Sequence, residues 1–278
     1  MMLQQTYIDR LINAALEEDI HYIDVTTDNL MDDAHTSEAY YLAKDSGVLC
    51  GIDVAKRVFE LVGGRFQMDI RIHDGEKVKK GDIIATMTGS TKTLLKGERT
   101  ALNILQHMSG IATATSRCVE LVEGTRAQIT DTRKTLPGLR PLQKYAVTVG
   151  GGKNHRYNLS DGAMLKDNHI DAAGGITNAI TLLRGKLGHM VKIEVETRNL
   201  DEVAEALHAG AEIIMLDNMS LEAMRKAVAM AKGKALIEAS GGITLETLRP
   251  VAETGVDIIS IGALTHSVKA FDISMKLV

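Results

Sequence analysis

The sequence predicts an α/β protein, with a mixed N-terminal region followed by a run of parallel strand–helix units. Three observations carry this. From about Ala127 onward, short apolar runs recur at 128–130, 163–165, 191–195, 213–216, 235–237 and 258–261. Amphipathic helical stretches separate them, most clearly at 200–208 and 221–231, and strand–helix alternation implies parallel strands with right-handed crossovers. Between about Glu38 and Thr93 the pattern is different: short β-type runs broken by Gly and Asp. Six units of the first kind point to a barrel or a doubly wound sheet.

Taken in order, residues 5–18 place Tyr7, Ile8, Leu11, Ile12, Ala15 and Leu16 at helical spacing, which gives one buried face. Asp24 to Thr27 reads as a turn or cap. Strand-like runs follow at 40–42, 47–50, 66–72 and 83–87, with a helix carrying Val54, Val58, Phe59 and Leu61 crossing that sheet. The piece from Gly75 to Gly89 resembles the sheet of biotinyl and lipoyl carrier domains. Lys79-Lys80 before Gly81-Asp82 lacks the Met or Asp context of a modifiable lysine, so a structural sheet is expected. Residues 94–123 form the longest helical stretch, with Leu102, Leu105 and Met108 on one face and Gly110 interrupting it. Gly97-Glu98-Arg99 sits where this helix is expected to begin. A cation there would oppose the helix dipole, which singles out Arg99 against the plain reading of an exposed arginine. The terminal stretch from Ser267 to Val278 is placed back on the first domain.

Composition excludes several function classes. No apolar run approaches the roughly 20 residues of a membrane span, and the first twenty residues show no cationic start followed by an apolar block, so no secretory signal is expected. Cys50 and Cys118 lack metal-like spacing and read as free thiols of a reducing cytoplasm. A pI of 6.1, 3% aromatics and no Trp leave little with which to bind or stack nucleic acid.

One stretch breaks the overall charge balance. Residues 131–169 hold seven Lys/Arg (Arg133, Lys134, Arg140, Lys144, Lys153, Arg156, Lys166) against three Asp, a balance of +4 inside a chain of −4. Pro137, Pro141 and the run Gly150-Gly151-Gly152 punctuate it, as expected for a shaped anion pocket rather than a solvated helix face.

In parallel α/β folds ligands bind at the carboxyl ends of the strands. Each C-terminal run here is followed by a polar or glycine residue: Asp131 with Arg133-Lys134, then Lys166, Glu196, Asp217, Glu238 with Ser240-Gly241-Gly242, and Gly262. The loops at Ser240 to Ile243 and Gly262 to Leu264 expose backbone N–H groups suited to phosphate, with His266 and Ser267 as further donors; the plain alternative is a pair of turn glycines. Glu194 and Glu196 share a side of their strand. Glu196 and Asp217 point to the mouth, where they can hold ribose hydroxyls or Mg²⁺, or brace a forming cation; the alternative is salt bridging to Lys134 and Lys166.

These motifs together resemble the quinolinate phosphoribosyltransferase family over nearly the whole chain. The segments carrying the resemblance are GERTALNILQHMSGIAT, DTRKTLPGLRPLQKYAVTVGGGKNHR, MLKDNHI, IEVE, MLDN, EASGGI and SIGALTHS, with DVTT and GVLCG before them. One departure is Ile23 before Asp24, where family members often carry Gly. The resemblance implies a mixed α/β N-terminal domain (residues 1–105, with the tail 267–278 returning to it) and an open α/β barrel (residues 106–266). It implies synthesis of nicotinate mononucleotide from quinolinate and phosphoribosyl pyrophosphate (PRPP), releasing pyrophosphate and CO₂, on the way to NAD. It also implies Mg²⁺ as cofactor and a homodimer in which Arg99 enters the partner's site. Carried over by position, Thr132, Arg133, His155, Arg156 and Lys166 would take the quinolinate carboxylates. Lys134 would lie between the two substrates. Glu196 and Asp217 would contact the ribose and its Mg²⁺, and Ser240, Gly241, Gly242, Gly262 and His266 the 5′-phosphate. Lys134, Glu196 and Asp217 are the expected catalytic groups.

Other readings compete. A same-fold paralogue associated with molybdate transport would use another acidic acceptor, nicotinate itself is a second rival acceptor, and a non-catalytic phosphate-ligand sensor would keep the barrel without turnover. Several cations around the acceptor favour a dicarboxylate, and intact Lys134, Glu196 and Asp217 speak against a sensor.

Overall fold

The computed structural model describes residues 3–278, and the chain divides into two compact units. The first comprises the residues up to Ser116 together with Thr135–Gly151 and Leu264–Val278; the second comprises Arg117–Lys134 and Gly152–Ala263.

The first unit opens with α1 (Gln5–Asp19), whose Ile8 and Ile12 are buried as their spacing requires. Asp24 caps α2 (Val25–Leu30): its Oδ1 accepts from the N–H groups of Thr26 and Thr27 at 3.1 and 2.9 Å. β1 (Thr36–Ala43), β2 (Gly47–Val48), α3 (Ile52–Val62), β3 (Phe66–Ile70), β4 (Lys77–Val78) and β5 (Ile83–Ser90) follow. The Lys79–Asp82 segment is a tight turn between β4 and β5, with Asp82 accepting from the Lys79 N–H at 2.8 Å. α3 buries Val54, Ala55, Val58 and Phe59, and the Phe59 ring stacks on Phe66 of β3.

α4 runs unbroken from Thr91 to Leu121, which corrects two sequence readings. The helix begins six residues before Gly97, so Arg99 lies on its exposed face and opposes no dipole. Gly110 does not interrupt it. That glycine marks close packing, because an added Cβ would run into the Lys269 carbonyl of the returning tail. Residues 105 and 106 both lie inside this helix, and the two compact units part further along it, at Ser116/Arg117. Helical spacing continues smoothly through both positions, so it gave no signal of where the units divide. α5 (Arg140–Val149), with Pro141 in its first turn, also belongs to the first unit. The tail forms β12 (Ile273–Leu277), which pairs antiparallel with β1 at the edge of a sheet ordered β12-β1-β5-β3.

The second unit is built on one six-stranded parallel sheet. Its strands are β6 (Gln128–Thr130), β7 (Ala163–Leu165), β8 (Ile193–Thr197), β9 (Ile213–Asp217), β10 (Leu236–Ser240) and β11 (Ile258–Ser260). They are ordered β6-β11-β10-β9-β8-β7, an open arrangement with edges at β6 and β7. The helices α6 (Asp167–Ala173), α7 (Ile176–Arg184), α8 (Leu200–His208), α9 (Leu221–Ala231) and α10 (Leu245–Ala252) connect them, and α11 (Ala263–His266) follows β11. Side chains alternate along each strand, so register decides which residues share a face. Val195, Ile214, Leu216, Ile237, Ala239 and Ile259 fall on one face and are buried. The other face carries Thr130, Met164, Glu194, Glu196, Met215, Asp217, Glu238, Ser240 and Ser260. A sheet with one apolar and one polar face is covered by helices on the first and keeps the second for a ligand.

Candidate functional site

The polar face of the second unit holds two cavities. The front one, about 300 Å³, lies at the carboxyl ends of the strands and is lined by Thr132, Arg133, Lys134, His155, Arg156, Lys166, Glu196, Asp217, Glu238 and Ser240, together with Met164, Met215 and Ser260. Four of the seven cations of the basic stretch meet here. Arg140 and Lys144 do not: they sit on α5 in the first unit, with Lys144 fully buried, and Lys153 lines neither cavity. Net charge along a sequence marks the region, but the chain folds back on itself within it.

Asp131 sets the geometry of the basic loop. It is fully buried at the end of β6 and accepts from the Asn154 amide at 2.6 Å and the His155 N–H at 2.9 Å. This ties the loop bearing His155 and Arg156 to the strand that leads into Thr132, Arg133 and Lys134. The Thr132 hydroxyl accepts from the Lys134 N–H at 3.0 Å, turning the chain at the rim. Arg156 donates to the Gly162 carbonyl at 2.9 Å and reaches the Met164 sulfur. Its guanidinium is held below its ordinary range, first by burial and then by the charge of Arg133. Two arginines kept close with part of their surface buried call for an anion between them.

Across the cavity Lys166 and Glu196 form an ion pair at 2.6 Å, so the salt-bridge reading holds for that couple. At the far end Asp217 and Ser240 stand opposite one another in register. The Ser260 hydroxyl donates to Ser240 at 3.1 Å. Gly241 and Gly242 have φ of +90° and +58°, and an added Cβ on Gly241 would collide with the Asn218 amide. Backbone in this conformation turns N–H groups outward, as phosphate cradles require. Gly262 follows β11 in the same unit, whereas Arg99 and His266 lie in the first unit, both exposed.

Behind the front cavity, and sharing His155, Arg156 and Glu238 with it, lies a rear cavity of about 350 Å³. It runs toward the amino ends of the strands, past Glu194, Ile213 and Ile258, to the exposed Met190 and Lys192. Where the cavities meet, His155 Nε2 lies 3.2 Å from Glu194 and 3.5 Å from Glu238. Burial disfavours an imidazolium at His155, but the two carboxylates outweigh it and raise its pKa to about 10. Burial also raises Glu194; the hydrogen bond from His155 opposes this and the charge of Glu238 adds to it. His155 and Glu194 therefore titrate together rather than singly. The sequence reading placed Glu238 on the rim and Glu194 on the side of Glu196. It missed their convergence on His155, a contact between β8, β10 and a loop far apart in the chain.

Two family models match consecutive parts of the chain. The family model for the quinolinate phosphoribosyl transferase N-terminal domain matches residues 24–109, and that for the C-terminal domain matches residues 111–276. The chain belongs to the quinolinate phosphoribosyltransferase family. It is 44% identical to a probable nicotinate-nucleotide pyrophosphorylase (carboxylating) of Bacillus subtilis, with 97% of this chain and 93% of that protein covered. It is 42% identical to a quinolinate phosphoribosyltransferase (decarboxylating) of Nicotiana tabacum, over 96% of this chain and 81% of that protein. The crystal structure of NadC from Streptococcus pyogenes superposes with a TM-score of 0.96 at 43% identity, covering 100% of this chain and 99% of that one. Human nicotinic acid phosphoribosyltransferase, at 12% identity and a TM-score of 0.58, shares the fold alone. Among the described residues, no helix is long and apolar enough to cross a membrane.

Proposed function

We infer that the chain is a carboxylating nicotinate-nucleotide pyrophosphorylase. It joins quinolinate to PRPP and yields nicotinate mononucleotide, pyrophosphate and CO₂, as a cytoplasmic enzyme of pyridine nucleotide synthesis. The observation that carries this is the front cavity, with Arg133, Lys134, Arg156 and Lys166 on one side, Glu196 and Asp217 opposite, and the Ser240 loop beside them. Within a family whose members form pyridine nucleotides, this layout suits a dicarboxylate and a sugar diphosphate.

Arginine suits the acceptor because its fork donates two parallel hydrogen bonds to a carboxylate. Arg133 and Arg156 hold quinolinate with Thr132, His155 and Lys166. The 5′-phosphate rests on Ser240, Gly241, Gly242 and Gly262. The pyridine nitrogen attacks C1′ as pyrophosphate leaves. Glu196 and Asp217 face the positive charge that builds on the ribose, and Lys134 faces the departing diphosphate. The hard carboxylate oxygens at the mouth suit Mg²⁺, but Glu196 is engaged by Lys166. The fit is therefore a cation that arrives on the diphosphate, near Glu196 and Asp217, and neutralises leaving-group charge when bound. Once the ring nitrogen is quaternary it draws electrons from C2, so the neighbouring carboxylate leaves as CO₂ without an organic cofactor. A homodimer in which Arg99 of each chain completes the acceptor pocket of the other accounts for an exposed arginine outside the second unit.

The test is to mix the protein with PRPP, Mg²⁺ and carboxyl-labelled quinolinate. Stoichiometric CO₂ and pyrophosphate are expected from quinolinate, and no CO₂ from nicotinate. Absence of CO₂ from quinolinate, with turnover of a different acidic acceptor, would replace this reading with that of a same-fold paralogue.

A further inference from the structure

Loss of CO₂ leaves an electron pair on C2 of the pyridine ring, and the product bears a hydrogen there. A proton must therefore be supplied, and the reaction as derived above names no group for it. We propose that Glu238, braced by His155 and Glu194, is the acid that protonates C2, with the rear cavity as its route to water. The proposal rests on the assignment of quinolinate to the front cavity.

Four observations carry it. Glu238 is 1% exposed and lines both cavities, so it faces the acceptor on one side and the rear passage on the other. Its Oε1 is buried with no hydrogen-bond partner. A buried carboxyl oxygen left in that state is destabilising unless a ligand or a proton compensates it. Its other oxygen faces His155 Nε2, which also faces Glu194. The Arg156 N–H donates to His155 Nδ1 at 2.8 Å, which leaves Nε2 as the ring nitrogen that carries hydrogen.

That last contact discriminates between two uses of the cluster. A histidine and two glutamates whose ligand atoms lie within 4.8 Å of one another have the composition of a metal site. A ligating Nε2 needs its lone pair, and here that nitrogen carries a proton directed at the carboxylates. The cluster is built to hold a proton between His155 Nε2 and the two carboxylates, and Glu238 is the member of it that lines the acceptor cavity. The C2–carboxylate bond breaks, CO₂ departs, and its bonding pair remains on C2 beside the quaternary nitrogen. The Glu238 O–H bond then breaks toward C2, a C–H bond forms, and Glu238 is left as carboxylate. Water entering past Lys192 and Glu194 restores its proton. His155 and Glu194 are positioning residues in this scheme: they brace Glu238 and pass the proton to it without meeting C2 themselves.

Rapid-quench measurement of a first turnover separates the two chemical stages, with labelled PRPP reporting pyrophosphate and carboxyl-labelled quinolinate reporting CO₂. Unprotonated C2 recaptures CO₂, so an enzyme without the acid stalls after pyrophosphate has left. In Glu238→Gln, CO₂ release should slow at least about tenfold more than pyrophosphate release, roughly 1.4 kcal/mol of selective loss, and a dicarboxylated mononucleotide should accumulate. Glu194→Gln should show the same divergence to a smaller degree, and Glu238→Asp should restore part of it. Pyrophosphate release itself reports that a variant is folded; should Glu238→Gln not fold, the Glu194→Gln ratio decides. Equal slowing of both products in the folded variants would overturn the proposal. Wild-type protein that forms pyrophosphate but never CO₂ would sink the quinolinate reading, and the proposal with it.

Discussion

Lys166 Nζ lies 2.6 Å from Glu196 Oε2, bridging the ends of neighbouring strands β7 and β8. The lysine side chain is 47% exposed and the glutamate 16%, so the pair is wet on one side. Exposed ion pairs contribute about 0–1 kcal/mol. Under the proposed function its value lies in placement: the cation assigned to the acceptor is held beside the anion assigned to the ribose. Lys166→Ala should leave Tm nearly unchanged while raising KM for quinolinate by at least about tenfold. Steady-state kinetics and thermal unfolding check this together, and a large Tm drop with normal KM would contradict it.

The collision between Gly241 and Asn218 gives a second prediction. Gly241→Ala places a Cβ at φ +90° and against the Asn218 amide, at a backbone cost of about 1–3 kcal/mol. KM for PRPP should rise more than KM for quinolinate. Adding Asn218→Ala should recover part of the lost Tm, because it relieves the collision but not the dihedral.

The His155 cluster makes stability depend on pH in a definite direction. Its imidazole binds a proton more tightly in the fold, up to about 10 against an ordinary 6.5. That contribution is therefore complete below about pH 6.5 and is lost as pH climbs toward about 10. Glu194, also raised, acts in the same sense from its own ordinary range upward. Urea unfolding across this alkaline window should show declining stability, and His155→Gln should flatten the decline. A variant with an unchanged pH slope would mean that other groups carry it.

A site shared between two chains predicts complementation. Lys134→Ala should lower kcat far more than folded yield, and Arg99→Ala should weaken quinolinate binding. Each homodimer should be nearly inactive. Mixed under subunit exchange, the two should regain partial activity in one site per dimer, measurable as CO₂ release. Confirmed heterodimers without recovery would rule out exchange of Arg99.

Much of this was legible in the sequence, for physical reasons. Strand alternation and the apolar runs at 128–130 and 163–165 match β6 and β7 residue for residue. Asp24 advertised its cap. The rim residues Lys166, Glu196, Asp217 and Ser240 do line one cavity, because a parallel sheet gathers its strand ends whatever the helices between them do. Three things were hidden. The start of α4 lay upstream of Leu94 because Thr91 and Thr93 are poor helix formers that tertiary packing carries into the helix, both buried. Asp131 looked like one more rim residue, and only its burial shows it clamping the loop of His155. Glu238 sits two residues before the phosphate loop and reads as its neighbour, until register places it level with Met215 and across from Glu194's strand.

The pairing of Leu277 with Ala39 has a consequence for biosynthesis. A ribosome delivers β1 early and β12 only after every strand of the second unit has emerged. Until then β1 offers a bare edge to any extended peptide nearby, and such edges template misassembly. The nascent first unit therefore stays open along β1 until β12 emerges.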